Sequence, residues 1–283
     1  VRVAVTGAAG FVGRAVVERL RERHDVVPLT RAEWDITSGR HQERADAVVH
    51  CAALADDVAP IGRAMLANRI GTRNVVASFP DARIVHISTS SVYDAFTPSI
   101  KIREDAPLPS RFLSSYSESK VAAEAELPPD AVVLRPHAVY GPGDTTLLPR
   151  ILAGIRGSRL VLPEGADVRH TLTHIDNLTP AVELALTGPA GVYNIGDDTD
   201  VLLSAILREF LVRRGRPDVS LTSIPYAVAF AAAGVLEKLS RRPRLTRYAV
   251  SQLGLERTLD LTAARDKLGY RPGPTSLTGA EGW

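Results

Sequence analysis

The chain is poor in the residues that build crosslinks and polyanion-binding faces. One cysteine among 283 residues, Cys51, excludes an intramolecular disulfide, and no Cys/His cluster has zinc spacing, so no metal is expected. Lysine occurs only at 101, 120, 238 and 267, so the basic pI rests almost wholly on arginine. Aromatics make up 5% and interleave with no basic block, and a formal net charge of +2 gives no reason to expect a nucleic-acid partner. Long hydrophobic runs are also missing. The longest, AVAFAAAGVL, is too short to span a bilayer and is flanked by Pro225 and Glu237. It reads as a buried or lid helix rather than a membrane contact. The chain starts directly in a strand-like VRVAV, without signal-peptide features, so a cytoplasmic location is expected.

What is present is globular: 45% hydrophobic and 23% charged residues. Short β-branched runs (RVAVT, DVVPLT, AVVHCA, RIVHIS, AVVLRP) alternate with helical patterns such as FVGRAVVERLRER. That order predicts an α/β fold with a Rossmann-type doubly wound parallel sheet and right-handed crossovers. Beyond about residue 160 proline and glycine become frequent. The expected division is a dinucleotide-binding domain over 1–165 and a smaller α+β substrate region over 166–283. A strand near 192–196 is a candidate to return to the main sheet.

The first strand runs into TGAAGFVG, with Gly7, Gly10 and Gly13 three apart, and then into a helix. Glycines there permit a tight turn and close approach to a pyrophosphate, whose charge suits the helix N-terminus. After the second strand, where an acidic residue would hold ribose hydroxyls, stands Arg31. A guanidinium pairs with a 2′-phosphate, so NADP(H) is favoured, with NAD(H) still open. Asp35 is a candidate adenine contact or, alternatively, a helix N-cap.

Tyr116 and Lys120 lie four apart in YSESK and share a helix face. A nearby ammonium would favour the phenolate and make Tyr116 a usable acid/base. The strand before it ends in HISTSSVY, with hydroxyls at the C-terminal sheet edge where open α/β folds bind ligands.

With HCAA at 50–53, ANRIGT at 67–72, LRPHAVYGPGD at 134–144, HIDN at 174–177 and the LDLTAARDKLGYRP ending, these motifs cover most of the chain. Together they resemble the extended short-chain dehydrogenase/reductase family, the NAD-dependent epimerase/dehydratase superfamily, nearest its 3β-hydroxysteroid dehydrogenase-like and ketoreductase branch. The resemblance implies Thr89, Tyr116 and Lys120 as catalytic residues. For the cofactor it implies Gly7, Gly10, Phe11, Val12, Arg31, Ala52, Ala53, Lys120 and Pro136, with Gly13 completing the loop. Asn68 would support the site.

Ser90 and Ser91 stand where dehydratases of the family carry Asp-Glu, which argues against water elimination. Ala138 replaces an asparagine that contacts the diphosphate in nucleotide-sugar members. The expected activity is therefore NADP(H)-dependent interconversion of a ketone and a secondary alcohol on a small molecule. A nucleotide-sugar 4-epimerase or 4-ketoreductase is the alternative, and a dinucleotide sensor without turnover a third reading. The resemblance also admits a homodimer.

Overall fold

The run RVAVT forms strand β1 (Arg2–Thr6), whose Val3, Ala4 and Val5 are fully buried. Burial on both faces explains why the run is continuously apolar instead of alternating. Five further strands join it in parallel: β2 (Asp25–Leu29), β3 (Ala47–His50), β4 (Arg83–Ile87), β5 (Val132–Pro136) and β6 (Gly191–Ile195). The computed structural model describes residues 1–283 and gives the sheet order β2-β1-β3-β4-β5-β6. The chain reverses direction across the sheet between β1 and β3. The C-terminal ends of those two strands open the crevice in which such folds bind ligands.

Helices cover both faces. On one, α1 (Phe11–Leu20), α4 (Ile175–Ala185) and α7 (Thr262–Lys267) bury Val16, Val17, Leu178, Val182 and Ala264 against the strands. On the other lie α2, over 61–78, and α3 (Ser115–Glu124). Helix α2 is α-helical at Ile61–Ala64 and Gly71–Ser78 but π-helical at Met65–Ile70, the kind of local widening that recurs at functional sites.

The expected doubly wound sheet is present. The strand near 192–196 pairs with β5 along its whole length, Gly191 opposite Val132 and Ile195 opposite Pro136. A cut at 165/166 therefore falls before β6, α4 and α7, all of which belong to the main core. The remaining C-terminal chain contributes to three small sheets, one of them the short pairing of Thr173–His174 with Val139–Tyr140. Arg159–Pro163 pairs with Ser220–Ile224, and Ser99–Ile102, from the first half, pairs with Arg257–Leu259.

One expectation needs correcting. The AVAFAAAGVL segment forms helix α5 (Tyr226–Leu239), and it is neither buried nor folded over the crevice. Only Ala229 and Ala233 are buried, because a single helix, α6 (Arg247–Gly254), packs along it, while Val228, Val235 and Leu239 face outward.

Candidate active site

The glycine loop closes on itself. Gly7 adopts φ 68°, and a Cβ there would sit 2.7 Å from the Ala52 Cα; at Gly13 it would sit 2.1 Å from the Gly7 carbonyl oxygen. Neither position tolerates a side chain without moving backbone. The Gly10 amide donates to the Gly7 carbonyl at 2.9 Å, and Gly10 starts α1 without a side-chain cap. The first-turn amides thus have no partner from a capping side chain and favour an anion.

Arg31 and Asp35 are outside the crevice wall and bind each other: Nε and Nη2 donate to Asp35 Oδ2 at 3.1 and 2.9 Å. Asp35 also accepts from the Thr37 amide at 2.9 Å and caps a short 3-10 turn at Ile36–Ser38. These hydrogen bonds, the Thr37 amide's first, hold its carboxyl below the usual range.

A cleft of about 510 Å³ begins at Gly7, Gly10, Phe11, Val12 and Gly13. It passes Ala53, Thr89, Tyr116, Lys120 and Pro136. Its far wall is apolar, with Leu147, Ile151, Leu203, Leu207, Leu253 and Leu277. Ala138, also on the wall, has φ 47°, a left-handed conformation in which it offers no polar atom beyond its backbone.

Ser114 starts α3 by accepting from the Ser117 amide at 3.1 Å, which puts Tyr116 in the first turn and Lys120 one turn later. The helix is held from both ends. Ser119 Oγ donates to the Tyr116 carbonyl at 2.9 Å and accepts from Asn68 Nδ2 at 2.8 Å. Asn68, buried in the π-helical stretch of α2, also accepts from the Leu54 amide at 2.7 Å. At the other end Glu124 and Arg135 of β5 form a buried bidentate pair, Nη2 to Oε2 2.6 Å and Nε to Oε1 3.0 Å.

Lys120, 1% exposed, donates from Nζ to the Ile87 carbonyl and to His86 Nε2, both at 2.9 Å. Burial pulls its pKa down to about 8, against Glu124 and Cys51, which raise it. Burial pushes the Tyr116 phenol above its usual value, and Tyr248 adds to this, while hydrogen bonding with Thr89 draws it back. The expected lowering of the phenol by the ammonium is absent. The cation is directed to the end of β4, and desolvation dominates at Tyr116.

Beneath Lys120 the hydrogen bonds fix a neutral histidine. Thr72 Oγ1 donates to the Asn68 carbonyl at 2.6 Å, so it accepts from His50 Nε2 at 3.0 Å. His50 Nδ1 then accepts from Thr6 at 2.7 Å, and burial holds its pKa at about 3. Thr89 has two duties. Its oxygen accepts from the Ser91 amide at 3.1 Å, and its hydroxyl donates to Ser91 Oγ, itself 2.7 Å from Tyr248 Oη.

A sequence model of the NAD dependent epimerase/dehydratase family matches residues 3–196. The chain belongs to that family. It is an NAD(P)-dependent oxidoreductase of the extended short-chain dehydrogenase/reductase type. It is 30% identical to the 2-alkyl-3-oxoalkanoate reductase of Shewanella oneidensis over 94% of this chain and 81% of that protein. It is 33% identical to the 4-hydroxy-2-methyl-3-oxo-4-farnesyl-3,4-dihydroquinoline-1-oxide ketoreductase of Stigmatella aurantiaca, over 95% of this chain and 91% of that one. Among solved structures, dTDP-4-dehydrorhamnose reductase from Bacillus anthracis in complex with NADP shares the fold, with TM-score 0.72, 22% identity and 99% and 97% of the two chains covered. A nicotinamide dinucleotide fits this oxidoreductase, because its glycine loop leaves no room for side chains and opens into the cleft that Tyr116 and Lys120 line.

Several residues of the oxidoreductase escape sequence reading. Tyr248 reaches the hydroxyl row from α6, far along the chain, and no local spacing announces it. His86 looked like one strand residue among others until the fold set it under Lys120. Asp197, fully buried, accepts from the His174 amide and Asn177 Nδ2 at 2.7 Å and from Tyr140 and Thr275 at 2.9 Å. It supports the HIDN segment, whereas the side chain of Asp176 within that segment is mostly solvent-exposed. Its position just after a β-branched run was the available signal.

Proposed function

We propose that this enzyme interconverts a ketone and a secondary alcohol on a small molecule with an apolar body, using NADP(H). The observation that carries the proposal is one continuous cleft joining the glycine loop to Thr89, Tyr116 and Lys120. When bound there, the dinucleotide supplies or accepts a hydride. Gly7, Gly10, Phe11, Val12 and Gly13 would hold its pyrophosphate, with Ala53 and Pro136 beside it in the cleft and Ala52, outside the cleft lining, backing Gly7. Arg31, outside the cleft lining, would hold the 2′-phosphate by exchanging its bond to Asp35 for one to that group. The Arg31–Asp35 pair is exposed and weak, so a dianionic phosphate competes well for the guanidinium.

Tyr116 gives its phenolic proton to the carbonyl oxygen in reduction and takes it back in oxidation. Thr89, turning its hydroxyl proton away from Ser91 Oγ, donates a hydrogen bond to the same oxygen. Lys120, anchored on Ile87 and His86, would present its remaining proton to the dinucleotide ribose. The apolar far wall receives the body of the substrate. The nucleotide-sugar alternative finds less support, because Ala138 offers no side-chain donor on the cleft wall.

The test is dinucleotide oxidation against a panel of apolar ketones. NADPH should outperform NADH, and Tyr116→Phe should lower turnover by about a hundredfold or more with NADPH affinity unchanged. A variant as active as the parent would remove Tyr116 from the mechanism.

A further inference from the structure

Helix α5 is apolar on two sides. Its inner side, with Ala229, Ala233 and Phe230, packs against Val250 of α6. Its outer side carries Val228 (58% exposed), Val235 (56%) and Leu239 (78%). Spacings of seven and four put these three on one stripe, with exposed Ala231 and Ala232 between them. Such a contiguous apolar face is not what a solvated helix presents. At its C-terminal end and just beyond, residues 238–244 hold four exposed cations: Lys238, Arg241, Arg242 and Arg244. Lys238, Arg241 and Arg244 have no carboxylate partner, and Arg242 is 4.0 Å from Asp56.

We propose that α5 and segment 238–244 dock this protein on a bilayer surface rich in anionic lipid. An apolar stripe edged by cations is the chemistry of a helix lying in the interface plane, with its side chains among the acyl chains and its cations among the headgroups. At 14 residues it is long enough to lie flat and too short to cross. A second copy of the chain is a poorer occupant. It would offer the same stripe without a carboxylate to meet the cations, since Glu237 is bound to Arg247 at 2.7 Å. On its far side α6 contributes Tyr248, Gln252 and Leu253 to the cleft. Docking therefore sets the cleft wall one helix from the bilayer.

Co-sedimentation with vesicles of phosphatidylcholine, alone or mixed with phosphatidylglycerol, tests the proposal. The protein should pellet with the mixed vesicles at low ionic strength and be released by salt. Combining Val235→Asp and Leu239→Asp should weaken that binding by about tenfold or more. Replacing Arg241 and Arg242 by Glu should do the same. NADPH binding and melting temperature, measured on each variant, should match the parent, because these side chains are exposed and none of them lines the cleft. Equal partition onto both vesicle types, a protein that stays in the supernatant, or vesicle binding indifferent to the aspartates would overturn it. So would a concentration-dependent dimer abolished by Val235→Asp and Leu239→Asp, which would give the face to a second copy.

Discussion

At the scale of single residues, Lys120 shows how a short motif acquires its chemistry from its surroundings. The four-residue spacing to Tyr116 was legible, but the direction of Nζ was not, because the Ile87 carbonyl and His86 come from another element. Holding a proton in that site costs free energy. The folded pKa is about 8 and the unfolded one 10.5, so between those values the unfolded chain binds more protons and stability rises with pH. Relative to Lys120→Met, the parent should gain up to about 3 kcal/mol as the pH goes from about 7 to about 10.5. Urea unfolding of both proteins at several pH values measures this. A difference that does not change with pH would mean that Lys120 carries no such penalty. Asn68 is the complementary case: visible in sequence as a helix asparagine, it owes its role to the π-helical turn that aims it at Leu54 and Ser119.

At the scale of elements, α3 is the part of the site that must not slide. Its hydrophobic pattern is weak, with serines and a glutamate among its buried or half-buried positions, and packing alone does not fix its register. The Glu124–Arg135 pair does, tying its last turn to β5, with Ser88 of the β4 end also bound to Glu124. Arg135 in turn donates to Tyr93 Oη at 3.0 Å and lies over that ring. Glu124→Gln would leave the guanidinium buried and unpaired, a loss expected at about 3–5 kcal/mol. Denaturant unfolding reads it directly, and a loss below about 1 kcal/mol would mean that the pair does not hold the helix. Sequence showed β5 and α3 as separate elements. That a glutamate of one meets an arginine of the other depends on sheet order.

At the scale of the molecule, the two halves of the chain are not independent. Residues 175–195 and 262–270 complete the sheet and its helical cover, and Ser99–Ile102 crosses to pair with Arg257–Leu259. A chain ending at residue 165 should show no cooperative thermal transition and no dinucleotide binding, since β5 would lose its partner strand and α1 its neighbour α4. Cooperative melting of that fragment would establish it as an autonomous unit. The sequence by itself determined the parallel sheet and the glycine loop, because strand runs and turn glycines are local and written within a few residues. It marked Thr89, Tyr116 and Lys120 as candidates through helical spacing and the family resemblance. Tertiary structure alone decided where the Lys120 proton is held and that Tyr248 joins the hydroxyl row. It also left one face of α5 in solvent. Each of these depends on which distant segments are brought into contact, and burial and hydrogen-bond partners exist only once that contact is made.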